Sequence, residues 1–257
     1  MPRHVVALAD ASTARALASP SISAVIPVYN EVDSLPLLLD ELDPVLHATG
    51  RPYEVVLIDD GSTDGSAAWI EDRARKDPSV RGVLLESNVG QSGALAAGFR
   101  HARGDVIVTL DADLQNDPSS IPALLAALEQ ADVVSGVRTP RADSWTRRVS
   151  SKIANGVRRA VIGDSITDVG CSLKAYRREA LEGIPLFAGA HRFLPALCQF
   201  RGARVAEMPV RHRPRQHGSS KYGVGNRLVR GIRDLIGVRW LKARMLRHKV
   251  RRLTDEP

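Results

Sequence analysis

Two carboxylates and an amide follow directly on a short apolar run near the middle of this 257-residue chain. The run, residues 106–110, is β-branched and bounded by turn residues, which predicts a buried strand. Asp111, Asp113 and Gln115 then leave the predicted sheet together. Buried charges are costly unless they are paired or bind a cation, and ligands collect at the carboxyl edge of an α/β sheet. A divalent metal that carries a phosphorylated ligand would explain both facts, although a strand-to-loop turn with solvated acids explains this pentapeptide equally well.

Three further motifs end a predicted strand or open the next helix. They cover residues 27–31 (PVYNE), 59–65 (DDGSTDG) and 88–94 (NVGQSGA). In a doubly wound sheet they would face the same crevice as Asp111. An aromatic ring with nearby acids suits a nucleobase and ribose, because carboxylates accept from base N–H groups and sugar hydroxyls. Taken singly, Asp59-Asp60 is as simply a turn with a helix cap, and Tyr29 a packing residue.

Strand and helix patterns alternate regularly through the first half of the chain. Strands are predicted at 22–28, 53–58, 80–86, 106–110 and 132–135, and helices at 34–47, 64–76, 91–102 and 118–130. This βαβα order predicts an α/β fold, with a mostly parallel sheet, right-handed crossovers and helices on both faces.

The regular alternation of strand and helix patterns ends after Arg138. A helical stretch at 145–162, strands at 171–176 and 204–209, helices at 178–183 and 191–201, and a mobile loop at 211–225 are predicted. Within the chain we expect a loosely ordered extension at 1–20, a catalytic domain at 21–225 and a basic amphipathic segment at 226–257.

The net charge of +7 is concentrated in the C-terminal segment, where residues 227–252 hold ten Lys or Arg and one acid. Apolar residues at helical spacing lie between these cations, which favours a helix in the interface of an anionic membrane. A surface helix packed on the domain is the alternative, and nucleic-acid binding is disfavoured because no nucleic-acid-binding module is present.

Cys171 and Cys198 lack the spacing of metal ligands, which suggests buried thiols in a reducing, cytoplasmic setting.

Taken together, the motifs resemble glycosyltransferase family 2, whose catalytic domain has the GT-A fold. The matching segments are residues 25–31, 59–65 and 111–115, joined downstream by 136–138 (GVR), 168–171 (DVGC) and 215–223 (RQHGSSKYG). The downstream segments are similar to the polyprenyl-phosphate branch, which contains dolichyl-phosphate mannose synthases and bacterial undecaprenyl-phosphate sugar transferases. The resemblance covers roughly residues 21–235.

The resemblance implies a role for each matching residue. The nucleotide-sugar would be held by Pro27, Tyr29, Glu31, Asp59, Asp111 and Ala112, with Arg215 and Lys221 closing over its diphosphate. Mg²⁺ or Mn²⁺ would be bound by Asp111, Asp113 and Gln115, and the acceptor phosphate by Arg138, Arg147 and Ser151. Asp113, Arg138, Arg215 and Lys221 would be the catalytic residues among them.

The implied reaction is metal-dependent, inverting transfer of a sugar from a nucleotide-sugar to undecaprenyl- or dolichyl-type phosphate. UDP is the preferred nucleotide and GDP-mannose the alternative; the product would serve cell-envelope glycan or lipid A modification. A phosphate monoester has a second pKa of about 6, so it attacks without a protein base. The alternatives are a saccharide acceptor, for which Asp168 is the obvious base, and a non-catalytic nucleotide-binding protein.

We expect a peripheral enzyme at the inner face of the cytoplasmic membrane. Many members of this branch continue into transmembrane helices, whereas no stretch here approaches 18 consecutive apolar residues. Either the basic helix docks on anionic lipid or a separate membrane protein recruits the enzyme.

Overall fold

The structure, a computed structural model, describes residues 6–7, 20–138, 155–213 and 224–245. The strands are β1 Val6–Ala7, β2 Ile22–Val28, β3 Tyr53–Asp59, β4 Val80–Leu84, β5 Val106–Thr109, β6 Val133–Arg138, β7 Lys174–Arg177 and β8 Val205–Val210. The helices are α1 Leu35–His47, α2 Ser66–Lys76, α3 Gln91–His101, α4 Ile121–Ala127, α5 over residues 155–162, α6 Arg178–Leu181, α7 Leu194–Phe200 and α8 Val224–Arg244.

The strands of the described ranges form one sheet in the order β1-β4-β3-β2-β5-β7-β6-β8. The strands β4, β3, β2 and β5 run parallel, and β6 is parallel to β8. The predicted α/β fold with a mostly parallel sheet is therefore confirmed. β7 runs antiparallel between β5 and β6, a direction that the apolar pattern of a buried strand does not specify.

The predicted elements differ from the observed ones mainly at their ends. Prolines account for part of this: the segment predicted as a helix at 118–130 begins with a 3₁₀ turn, Pro118–Ser120, before α4. The strand predicted at 171–176 begins only at Lys174, because the carbonyls of Ser172 and Leu173 bond to Thr109 Oγ1 and Gly136 N outside the strand ladder. In the segment predicted as an extension, Val6–Ala7 pairs antiparallel with β4.

Apolar layers cover both faces of the sheet. On one face β2 packs against α1, and on the other β2 and β3 pack against α3. Gly98 makes the second contact close, since a Cβ on it would lie 2.5 Å from Val25 and 2.7 Å from Ile58. The N-terminus of α3, with Gln91 and Ser92, is thereby held against the carboxyl ends of the strands.

The C-terminal helix α8 packs one side on the domain and leaves another exposed. Val238 is fully buried, whereas Ile232, Ile236 and Trp240 are 52%, 64% and 63% exposed. These three recur every four residues and so form one stripe on the helix. Among the described residues, no helix is both long and apolar enough to cross a membrane.

Candidate functional site

A buried carboxylate closes the carboxyl end of β3. Asp59 pairs in register with Val28 at the end of β2, and its side chain is almost fully buried. Ser62 donates its backbone N–H to Oδ2 at 3.0 Å, while the buried Oδ1 has no hydrogen-bond partner among the described residues. A buried acceptor without a donor is costly, so Oδ1 marks a place where a ligand N–H or O–H would bind.

Hydrogen bonds between two loops, residues 29–31 after β2 and residues 60–66 after β3, form the rim of the site beside Asp59. Asn30 has a φ of 55°, in the left-handed region. Its side-chain Oδ1 accepts from the backbone N–H of Thr63 at 2.7 Å, and its backbone N–H donates to Ser62 Oγ at 2.9 Å. Glu31 donates its backbone N–H to Ser66 Oγ at 3.1 Å. These contacts hold Tyr29, 36% exposed, and Glu31 on the rim near Asp59.

Asp60, adjacent to Asp59, is an anchor. It is buried, and its two oxygens accept from the backbone N–H groups of Val89 and Gly90 at 2.8 and 2.9 Å. Burial raises the pKa of Asp60 above its ordinary value, although those two bonds act in the opposite direction. The contact fixes the loop that opens α3, whose Gln91 reaches the next strand.

Asp111 follows β5 at the same edge of the sheet, and its Oδ1 accepts from Gln91 Nε2 at 2.7 Å. Asp113, 7% exposed, accepts the backbone N–H of Gln115 at 3.2 Å. Between them and Gln115 the chain turns through Leu114, which has a φ of 61° despite its side chain. Gln115 accepts the backbone N–H of Arg213 at 2.7 Å, which ties this turn to the chain just before residues 214–223.

The acidic turn fits a divalent metal. The described residues contain no group of three or more Asp, Glu, His or Cys side chains that could form a metal cage. Mg²⁺-type ions in sites that bind phosphorylated substrates are typically held by one or two carboxylates, with the phosphates and waters completing the shell. Asp111 and Asp113 supply that number of carboxylates on the open edge of the sheet.

An arginine lies on the other side of this edge, at the end of β6. Arg138 donates from Nε and Nη2 to the two oxygens of Asp168, both at 2.8 Å, and its backbone N–H bonds to the same carboxylate at 3.1 Å. Burial alone would raise the pKa of Asp168, but the Arg138 guanidinium and the backbone N–H groups of Arg138 and Gly170 together hold that pKa below the ordinary value. The hydrogen-bonded Asp168 raises the pKa of Arg138, and Asp111 adds a smaller rise, so Asp111 lies within electrostatic reach of Arg138.

A cavity of about 280 Å³ extends from Asp111 between β5, β7 and α3. Three of its lining residues, Lys174, Tyr176 and His191, were not assigned to the site from the sequence. The sequence carried a signal for Lys174, since a lysine directly after the segment Cys171-Ser172-Leu173 of a predicted buried strand needs a reason to be buried. Burial lowers the pKa of Lys174.

The structure brings together most of the residues expected at the site. Asp59, Tyr29 and Glu31 lie at the ends of β2 and β3, and Pro27 lines the same cavity as Asp111. Ala112 packs into the apolar layer on the α1 side. Four expected residues, Arg147, Ser151, Arg215 and Lys221, lie outside the described residues.

Comparison with solved structures defines the fold. Glucosyl-3-phosphoglycerate synthase from Mycobacterium tuberculosis, in complex with UDP, superposes with a TM-score of 0.64 at 21% identity, over 87% of this chain and 80% of that one. A mannosyltransferase from Pyrobaculum calidifontis, in complex with GDP-Man and Mn²⁺, superposes with a TM-score of 0.60 at 21% identity, over 88% of this chain and 64% of that one. The fold is GT-A, as expected.

The family is equally clear. Residues 23–184 match the model of "Glycosyl transferase family 2", and the chain belongs to glycosyltransferase family 2. Undecaprenyl-phosphate 4-deoxy-4-formamido-L-arabinose transferases from Edwardsiella ictaluri and Klebsiella pneumoniae are each 44% identical over 217 residues. That match spans 84% of this chain and 66% of each relative. The resemblance to the polyprenyl-phosphate branch is thereby confirmed.

Proposed function

We propose that this protein transfers a sugar from a nucleotide-sugar to polyprenyl phosphate, with inversion at the anomeric carbon. The observation that carries the proposal is the order of groups along the carboxyl edge of the sheet. The unpaired acceptor of Asp59 lies at β3, the acidic turn with Asp111 and Asp113 follows β5, and Arg138 ends β6. A nucleoside, a metal-bound diphosphate and an anionic acceptor require these groups in this order.

The nucleoside end favours UDP. The buried Oδ1 of Asp59 needs one donor, and the single imide N–H of uracil supplies one, while Tyr29 on the rim offers its ring for stacking. The structural neighbour from M. tuberculosis binds UDP in its solved complex, which supports this choice. GDP-mannose remains the alternative donor.

Asp111 and Asp113, with Gln115 beside them, would hold Mg²⁺ or Mn²⁺. When bound, such an ion neutralises the charge that develops on the departing diphosphate. Among this chain's own residues, Gln91 orients Asp111 through its 2.7 Å hydrogen bond, and Asp60 fixes the loop from which Gln91 projects.

The acceptor end needs no general base. The bond that forms joins a phosphate oxygen of the acceptor to the anomeric carbon, and the bond that breaks joins that carbon to the diphosphate. The attacking oxygen is already anionic at neutral pH, so no proton moves. Arg138 would position it, because a guanidinium binds phosphate oxygens in pairs.

A saccharide acceptor is disfavoured by the environment of Asp168. That carboxylate is the obvious candidate for a base, yet both its oxygens accept from Arg138 and its pKa is lowered. A base that must take a hydroxyl proton needs a pKa near the working pH. The pair is better suited to holding Arg138 for an acceptor that brings its own charge.

The proposal is tested by incubating the full chain with short-chain polyprenyl phosphate, Mg²⁺ or Mn²⁺, and a panel of UDP- and GDP-sugars. We expect a polyprenyl-phosphate sugar of inverted anomeric configuration from a UDP-sugar, and loss of turnover when the metal is chelated. Transfer to a saccharide but not to polyprenyl phosphate would contradict the acceptor, and retention of configuration would contradict direct displacement.

We further propose that α8 brings the enzyme to its lipid substrate at the cytoplasmic face of the membrane. Its exposed stripe, Ile232, Ile236 and Trp240, is flanked by arginines at 233, 239 and 244. Exposed apolar side chains between cations suit the interface of an anionic bilayer. Recruitment by a membrane protein is the competing means of contact.

Ile236→Asp is expected to lower the affinity for anionic liposomes about tenfold, because it replaces an inserted aliphatic group by a charge that anionic headgroups repel. Leu37→Asp is the matched control, since Leu37 is 44% exposed on α1. Liposome co-sedimentation measures both variants. Equal binding of the two would rule out the stripe as the contact.

A further inference from the structure

The cavity beside Asp111 lies on the side away from the nucleoside end. The strand order β3-β2-β5-β7 puts Asp59 at one end of this series and the cavity, between β5 and β7, at the other. A nucleotide-sugar laid along the edge with its diphosphate at Asp111 would therefore place its sugar in the cavity. The volume of about 280 Å³ is at the lower end of ligand pockets, which begin at about 300 Å³, and suits a sugar ring rather than the whole donor.

Lys174 is a buried cation on the wall of this cavity. It is 3% exposed, and among the described residues its Nζ reaches the carbonyl of His191 at 3.5 Å. An ammonium group has three N–H donors, and one long hydrogen bond satisfies at most one of them. Burial of such a group is costly unless a ligand or a counter-charge compensates.

His191 adds a second donor, because its hydrogen bonds fix the tautomer. Ser92 Oγ accepts from the backbone N–H groups of Gly189 and His191 at 3.1 and 3.2 Å, so its own proton is directed to Nδ1 of His191 at 2.8 Å. With Nδ1 as the acceptor, a neutral ring carries its proton on Nε2. Burial lowers the pKa of His191 to about 3, which keeps the ring neutral at physiological pH.

Tyr176 is a third polar group on the wall. Its side chain is fully buried, and within the described part of the chain its hydroxyl has at most a weak contact with Thr109. The wall therefore presents mainly hydrogen-bond donors. A ligand that is rich in acceptor oxygens complements it.

The charges around Lys174 decide between kinds of acceptor. Asp111 and Asp168 both act on Lys174 electrostatically, while Arg138 is paired with Asp168. These two carboxylates, and the diphosphate of a bound donor, already place negative charge beside this wall, so a further carboxylate on the ligand would be repelled by them. A neutral carbonyl oxygen accepts the same hydrogen bonds without that cost.

On the basis of the proposed function, we propose that Lys174 and His191 determine sugar specificity by selecting a transferred sugar with a neutral carbonyl substituent, such as a formamido group. A hydroxyl at the same position would make a weaker bond to Lys174, and an ammonium group would be repelled by it. Lys174 and His191 are thus specificity-determining residues for the donor sugar.

Isothermal titration in the presence of Mn²⁺ tests this inference with three ligands: UDP, UDP-4-deoxy-4-formamido-L-arabinose and UDP-L-arabinose. The wild type should bind the formamido sugar more tightly than its hydroxyl analogue. Lys174→Met keeps the length of the side chain and removes its donors, and we expect the preference to fall about tenfold or more, with the affinity for UDP unchanged. Arg177→Met is the matched control, since Arg177 lies on the same strand and bonds to the carbonyl of Leu128 outside the cavity.

Each outcome separates the inference from the function on which it rests. Absence of both UDP and GDP binding by the wild type, with GDP titrated in the same way, would overturn the proposed function itself, and binding of GDP alone would overturn the choice of a UDP-sugar donor. UDP binding with no preference for the formamido sugar, or a preference that Lys174→Met leaves intact, would overturn the inference alone, as would tighter binding of UDP-glucuronate. Should Lys174→Met fail to fold in a thermal melt, Ser92→Ala takes its place: loss of the hydroxyl that fixes His191 should reduce the same preference, and an unchanged preference would count against the proposal.

Discussion

Asp113→Asn is expected to lower the turnover of sugar transfer about 10²–10³-fold, in the range found when one group that stabilises transition-state charge is removed. Asparagine keeps the shape of the buried side chain and its bond to the backbone of Gln115 but removes the negative charge that a divalent cation requires. The defect should therefore appear in metal binding as well as in turnover. Titration of UDP with and without Mn²⁺ measures it: in the wild type Mn²⁺ should tighten UDP binding, and in the variant this gain should be lost.

Asp72→Asn is the control for that experiment. Asp72 lies on α2, where it pairs with Lys76 at the surface, so its neutralisation changes the net charge equally without touching the site. Asp113→Asn with normal turnover, or with an intact Mn²⁺ effect on UDP binding, would remove Asp113 from the metal site. A variant that loses its thermal unfolding transition would be replaced by Asp111→Asn, for which the same results are expected.

Most of the fold was predictable because its determinants are local. Alternating apolar strands and amphipathic helices carry their own period along the chain, and β2, β3 and β5 fall within a residue or two of the predicted bounds. The direction of β7 was not predictable, since it depends on pairing with β5 and β6, which are distant in the chain, and not on the residues of β7 itself. Its antiparallel insertion places Lys174 beside β5, on the wall of the cavity.

The sequence placed the candidate residues at strand ends, but the different contacts of neighbouring residues could not be predicted from it. Adjacent acids at 59 and 60 look alike in a sequence, yet one has a buried oxygen without a partner among the described residues and the other anchors the α3 loop. The tautomer of His191 depends on Ser92, 99 residues away in the chain. Contacts of that range are products of the tertiary structure, and no spacing rule contains them.

Arg138→Lys is expected to reduce kcat/KM for polyprenyl phosphate about 10- to 100-fold, the range for loss of a hydrogen bond to a charged group, while the KM for the donor stays unchanged. Lysine keeps the positive charge but cannot bind Asp168 through two parallel N–H bonds and still present a fixed edge to a phosphate. The pair holds across neutral pH, because the pKa of Asp168 is lowered and the carboxylate is protonated only as the pH falls through that lowered value. The loss in Arg138→Lys should therefore persist through the neutral range.

The chain offers a close control for this substitution. Arg204 donates from Nε and Nη2 to the two oxygens of Asp132 at 3.2 and 2.9 Å and also binds it through the backbone N–H, so it repeats the geometry of Arg138 with Asp168 away from the site. Arg204→Lys removes an equivalent bidentate pair and should leave kcat/KM for the acceptor unchanged. Equal defects in the two variants would mean that such pairs act only through stability. A defect confined to Arg138→Lys, with both proteins melting alike, would assign the arginine to the acceptor phosphate. The charge and the pairing geometry are matched between the two arginines, while Arg204 is more exposed and lies away from the site.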